Sequence, residues 1–189
     1  MAITAVQSWM LLLFVVVNFA VAGVGARIGG RSHYTEIWYS SLRKPPEYPA
    51  EWIFSPVWSA IAIVTGIAGW IIWRQWQNGF AATALVLYGF CLCFNALWQG
   101  VIFGLRRLGL GVAFAWLLWG TISATMLYTA ADGTWDWLWL APYWLWVGYG
   151  LRLNDGLWRR NQVLALPPSS IELEAPAPEQ PPAEPPQGS

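Results

Sequence analysis

Charged residues are placed so sparsely in this chain that they cut it into five apolar runs, each close to the length that crosses a bilayer. A spanning α-helix needs about 20 mostly apolar residues, and the runs lie near 7–27, 54–76, 80–104, 108–131 and 135–158. Lipid offers no partner to a free N–H or C=O, and none of the runs alternates apolar with polar residues as a barrel strand does. The expected fold class is therefore all-α, an integral membrane bundle of five transmembrane helices. Composition agrees: 57% of the 189 residues are hydrophobic and 11% charged, against about 25% charged in an ordinary soluble domain.

Ten Lys+Arg balance ten Asp+Glu, and no basic stripe is interleaved with aromatics, so no nucleic-acid partner is expected. Cys91 and Cys93 stand at i and i+2, on nearly opposite sides of a helix, where they cannot bridge each other. The start is uncharged and its apolar run long, so the first run reads as a retained helix and not as a cleaved signal.

The connection over residues 28–53 is the long one. It holds Arg31, His33, Glu36, Arg43, Lys44, Glu47 and Glu51, with prolines at 45, 46 and 49 that forbid a long regular helix. It reads as a structured loop between helices 1 and 2, large enough to cover one end of the bundle. Gln77-Asn78-Gly79, Arg106-Arg107-Leu108-Gly109 and Ala131-Asp132-Gly133 read as tight turns between antiparallel neighbours. From Pro167 onward eight prolines, four glutamates and no aromatic residue read as disordered. Two regions follow: a transmembrane domain over 1–163 and a polar tail over 164–189. Arg31, Arg43, Lys44, Arg106, Arg107, Arg159 and Arg160 fall on one side of this topology and Arg74 alone on the other. The positive-inside rule then places the long loop and the C-terminus in the cytoplasm and the N-terminus outside.

Tryptophans near run ends, such as Trp9, Trp73, Trp76, Trp135, Trp137 and Trp158, fit an interfacial belt. Trp58, Trp98, Trp116, Trp119, Trp144 and Trp146 lie deeper, either as packing or as the wall of an aromatic cavity. Helical spacing groups Pro142, Trp146, Gly150 and Asn154 on the fifth run, Cys91, Asn95, Trp98 and Ile102 on the third, and Phe54, Trp58 and Ile61 on the second. Asn18, Asn95, Gln99 and Asn154 are intramembrane amides, read first as interhelical hydrogen-bonding groups and second as ligand contacts. Arg152 and Asp155 read as an i,i+3 ion pair. Gly100 and Gly104 form a GxxxG, either a dimer seam or close packing within the bundle. No metal-ligand cluster or catalytic constellation appears in the runs, so no metal, no required cofactor and no catalytic residue is expected.

Three motifs carry a family resemblance. The stretch WYSSLRKPPEYPAEWIFSPVW from Trp38 to Trp58 is similar to the first-loop and second-helix signature of the TspO/translocator protein family, also called tryptophan-rich sensory proteins and peripheral benzodiazepine receptors. Asn95, Trp98, Phe103 and Gly104 resemble its NxxW…FG, and Pro142, Tyr143, Trp146, Leu153, Asn154 and Asn161 its PYxxW…LN…N. The resemblance covers about residues 8–161. It implies a five-helix bundle, a homodimer, and a first loop that lids a cavity binding porphyrins such as protoporphyrin IX or other flat hydrophobes. Carried over by position, the pocket uses Tyr39, Pro49, Trp58, Asn95, Trp98, Trp146 and Gly150. The implied role is a sensor of tetrapyrrole or stress physiology, in a bacterial cell membrane. The alternatives are light- or oxygen-dependent porphyrin breakdown, with Trp58 and Trp146 as electron donors, and transport of porphyrin or sterol. Glu47 stands where the family usually has an aromatic and Ala50 where it has proline, which implies a looser lid. A generic sterol-recognition pattern spans Val147 to Arg152, but the family's tyrosine for that motif aligns with Asp155.

Overall fold

The computed structural model describes residues 5–30, 33–75, 77, 79–131 and 133–162. Arg31, Trp76, Asn78, Asp132, the side chain of His33 and the tail over 164–189 lie outside the described residues, and the expectations placed on them are not taken further. Six α-helices follow in order: α1 Ala5–Ile28, α2 His33–Ser41, α3 Phe54–Arg74, α4 Gly79–Gln99, α5 Leu108–Ala130 and α6 Ala141–Arg160. No strand occurs among the described residues.

The spans Ala5–Ile28, Glu51–Arg74, Gly79–Gly104 and Leu108–Ala130 are each long and apolar enough to cross a membrane. The protein is therefore a helical, multi-pass membrane protein. Its outward faces agree, since Val6, Leu12, Val16, Val86, Leu117, Leu127 and Leu145 are all exposed. The 20 residues of α6 reach about 30 Å at 1.5 Å per residue, enough for a hydrocarbon core. Arg152, Asp155, Arg159 and Arg160 make its second half more polar than the other spans.

Helices approach closely where a glycine leaves room. A Cβ on Gly66 would sit 2.8 Å from Val15 Cα, so α1 and α3 touch backbone to backbone, and one on Gly104 would lie 2.7 Å from the Ile28 carbonyl oxygen. A Cβ on Gly100 would meet the Ile28 side chain at 2.5 Å. The Gly100–Gly104 motif is thus taken up by the end of α1, the internal of its two readings. Of the amides, Asn18 donates from Nδ2 to Tyr88 Oη at 2.6 Å, bridging α1 and α4. Cys91 is buried and Cys93 exposed, both unpaired thiols on opposite faces.

Three expectations need correction. The fifth run does not start as an α-helix at 135: Asp136–Leu140 is a 3-10 helix and α6 begins at Ala141. Pro142 is the cause, because an α-helix running through it would lack the bond to the Leu138 carbonyl and press its ring on that group, whereas in the first turn no such bond is needed. The connection read as one long structured loop is not all loop, since α2 occupies its first part, ahead of the prolines. Arg152 and Asp155 do not pair. Arg152 Nε lies 3.6 Å from Glu47 Oε1 and Asp155 Oδ2 lies 2.8 Å from Arg159 Nε, because the loop brings Glu47 against α6 and an i,i+4 partner is within reach of Asp155.

Candidate functional site: an aromatic cavity beneath the first loop

A cavity of about 570 Å³ lies among α1, α2, α3, α4 and α6. Its walls follow from helical periodicity. Phe54 and Trp58 stand four residues apart on α3, Asn95, Trp98 and Gln99 share a face of α4, and Trp146, Gly150 and Asn154 repeat every fourth residue on α6. Trp58 is the hub: its ring centroid lies 6.3 Å from that of Trp98, tilted by 36°, and 6.4 Å from that of Trp146, edge-on at 84°. Gly150 meets no atom within 4 Å of where its Cβ would stand and keeps open space beside Trp146. Below Phe103 the helix widens into a π turn over Gly100–Gly104, with Leu105 N–H reaching back five residues to the Gly100 carbonyl at 3.0 Å. Such turns insert a residue and re-aim side chains, and here Ile102 and Phe103 both reach the cavity.

Polar groups on this wall are few. Asn95 Nδ2 donates to Tyr143 Oη at 3.1 Å. Asn95 Oδ1 and Trp98 Nε1 are buried and have no hydrogen-bond partner among the described residues. An unused acceptor and an unused donor thus stand one turn apart on α4, and such buried groups carry a standing cost.

The loop closes the end of the cavity. Tyr39 and Tyr48 hydrogen-bond through their hydroxyls, and Lys44 pairs with Glu51 while its Nζ stands 5.0 and 5.4 Å from the two phenol ring centroids. Burial, and then the neighbouring Tyr48, pushes the Tyr39 hydroxyl well above the usual phenol range. Burial raises Tyr48 as well, against the pull of its bond to Tyr39. Both phenols are neutral at physiological pH.

The loop is fastened to α6 at three points. Arg43 N–H donates to Asn161 Oδ1 at 2.9 Å, and Asn161 Nδ2 donates back to the Arg43 carbonyl at 3.1 Å. Tyr149 Oη donates to the Glu47 carbonyl at 2.8 Å, beside the Glu47–Arg152 ion pair. Pro45 packs on Gly156, where a Cβ would meet its ring at 3.2 Å. Glu47, expected to loosen the lid, instead supplies two of its ties.

Six sequence-predicted positions, Tyr39, Trp58, Asn95, Trp98, Trp146 and Gly150, meet on this one cavity. Pro49 is half-buried in the loop and does not face it. Of the other deep tryptophans, Trp116, Trp119 and Trp144 form a separate cluster between α5 and α6, with centroids 5.8 and 5.0 Å apart. Sequence reasoning missed the α1 wall. Ala22, Ala26 and Gly29 recur at i, i+4 and i+7, a helical stripe legible in principle but hidden by the small size of its members. It also missed Tyr48, which the loop brings to the cavity, and Tyr149, which stands one turn after Trp146 on α6. Among the described residues no three of His, Cys, Asp and Glu come together as a metal site.

Residues 11–159, a stretch that contains every wall residue named above, match the TspO/MBR family. The chain belongs to the TspO/MBR family. Among its relatives within the family, the protein CrtK of Rhodobacter capsulatus is 34% identical over 153 residues, covering 80% of this chain and 94% of that protein. The tryptophan-rich sensory protein of Cereibacter sphaeroides is 30% identical over 155 residues, 82% of this chain and 94% of that one. The translocator protein of Bos taurus is 33% identical over 129 residues, 67% of this chain and 76% of that one.

Proposed function

We propose that this TspO-family protein is a membrane sensor that binds a porphyrin, or a similar flat hydrophobe, in the cavity beneath the loop. The observation that carries the reading is the wall itself. Three indoles, Trp58, Trp98 and Trp146, surround a space of about 570 Å³, within the range of roughly 300–1,000 Å³ typical of small-molecule sites. Flat π-systems stack on indole faces, and the amides on the lining, Asn95, Gln99 and Asn154, are the groups available to a polar edge. The names of relatives, sensory protein and translocator, agree with a ligand-handling membrane protein. The ligand is bound as such, with no resident cofactor.

The reading includes five crossings, with α6 as the fifth, and a loop end that faces the cytoplasm. Arg27, Arg43, Lys44, Arg106, Arg107, Arg152, Arg159 and Arg160 cluster at that end and Arg74 at the other, the asymmetry that sets orientation in a bacterial cell membrane. It also includes a homodimer, whose seam lies away from the Gly100–Gly104 motif already packed on α1; single-molecule photobleaching in bilayers tests it, and one-step traces throughout would remove it.

Intrinsic fluorescence titrated with protoporphyrin IX tests the cavity. Saturable quenching is expected in the intact protein, with affinity reduced about tenfold or more in a Trp58→Ala, Trp146→Ala double variant, as for truncation of aromatic anchors. Equal quenching at equal affinity in both proteins removes the cavity as the site.

A further inference from the structure

Beneath the main cavity, at the junction of α1, α3, α4 and α6, lies a second one of about 20 Å³. The two share Ala22, Trp58, Ala62 and Asn95 as a common partition. The space suits one solvent molecule, since a water needs about 10–15 Å³ of this kind of volume together with two to four polar partners. Those partners are present. Thr65, 2% exposed, is on the lining of the small cavity, and its hydroxyl has no hydrogen-bond partner among the described residues. Asn95 Oδ1, on the same lining, is an unpaired acceptor. Tyr143 is also on the lining, and its hydroxyl accepts from Asn95 Nδ2 and retains a proton to donate.

We infer that this small cavity is a polar subsite that holds one water, and that the water is replaced by a hydroxyl carried on the edge of a ligand in the cavity above. A water there donates to Asn95 Oδ1, pairs with the Thr65 hydroxyl and accepts from Tyr143, satisfying groups that are otherwise orphaned inside a low-dielectric bundle, where an unmade bond is costly. A ligand hydroxyl has the same capacity to donate and accept. A flat apolar body with a bare edge leaves the water in place, whereas one with a hydroxyl at that edge reaches past Trp58 and takes its position. The second half of this inference rests on the ligand-binding reading of the main cavity; the first half does not.

Two measurements decide it. An experimental structure of the ligand-free protein at a resolution that shows ordered solvent is expected to contain a single peak within hydrogen-bonding distance of Thr65 Oγ1 and Asn95 Oδ1, and a cavity without density overturns the water site. Fluorene and 9-hydroxyfluorene, alike in shape, are then titrated by tryptophan quenching against the intact protein, Thr65→Val and Thr65→Ser. The preference for the hydroxylated probe is expected to fall about three- to tenfold in Thr65→Val, the worth of one hydrogen bond, and to return in Thr65→Ser. A preference that Thr65→Val leaves unchanged overturns the replacement. If neither probe quenches the intact protein, the replacement is overturned; the water site stands or falls on the solvent peak, and the ligand-binding reading on the protoporphyrin IX titration.

Discussion

At Asn161 one buried amide satisfies three backbone groups: it accepts from Arg43 N–H and donates to the carbonyls of Arg43 and Leu157. Replacing it by alanine leaves those groups without partners, at a cost of about 1–3 kcal/mol. Asn161→Ala is therefore expected to melt several degrees lower in detergent and to speed amide hydrogen exchange over residues 42–48; unchanged exchange there would show that the loop is held by other means. The phenols of the loop predict a pH dependence. Tyr39 and Tyr48 have folded pKa values raised above the ordinary one, so the stability they contribute is complete below about pH 10 and is lost as pH rises beyond it, when the unfolded chain can ionise them and the folded one cannot. Thermal stability measured from pH 8 to 11 is expected to decline above pH 10, and less so in a Tyr39→Phe, Tyr48→Phe variant. Much of the site was legible at this scale. Trp58, Asn95, Trp98 and Trp146 reveal themselves by helical spacing, because a helix converts spacing into direction. Pro49 does not, because it lies in a loop where direction is set by the Arg43–Asn161 and Glu47–Tyr149 ties, between residues more than 100 apart in sequence.

Elements show where sequence reading holds and where it stops. The starts and ends of α1, α3, α4 and α5 fall within a few residues of the apolar runs, since lipid imposes helix wherever the chain is apolar enough. The departures occur where another constraint enters. Pro142 delays α6, a π turn over Gly100–Gly104 ends the third run beside Ile28, and α2 forms in a stretch read as loop. Packing contrast among glycines gives a test of the element contacts. Gly66→Ala places a methyl 2.8 Å from the Val15 backbone, where nothing can swing aside, and is expected to cost about 1–3 kcal/mol. Gly120→Ala meets nothing within 4 Å and is expected to be neutral or to stabilise by about 0.5–1 kcal/mol through helix propensity. Reversed signs in a detergent-melt comparison would rule out the α1–α3 contact as drawn.

Considered as a whole, the molecule places its loop, the α4–α5 turn and the end of α6 at one end and the α5–α6 connection at the other. In a Cys91→Ser, Cys93→Ser background, Ala131→Cys is expected to react with an impermeant maleimide in intact spheroplasts. Arg107→Cys and Gln162→Cys are expected to react only after permeabilisation. Labelling of Gln162→Cys alongside Ala131→Cys would mean that α6 does not cross, and would reduce the bundle to four spans.

The ties between loop and α6 also impose an order in time. Arg43 and Asn161 are 118 residues apart, so at about 5–20 residues per second of synthesis the loop waits roughly 6–24 s for its anchor. During that interval the space beneath the loop is open on the side that α6 closes. Tyr149, Arg152 and Asn161 all arrive with the helix that also carries the Trp146, Gly150 and Asn154 wall, so the last wall and the ties of the loop are added in one late event. The cavity is closed by the act of finishing the chain.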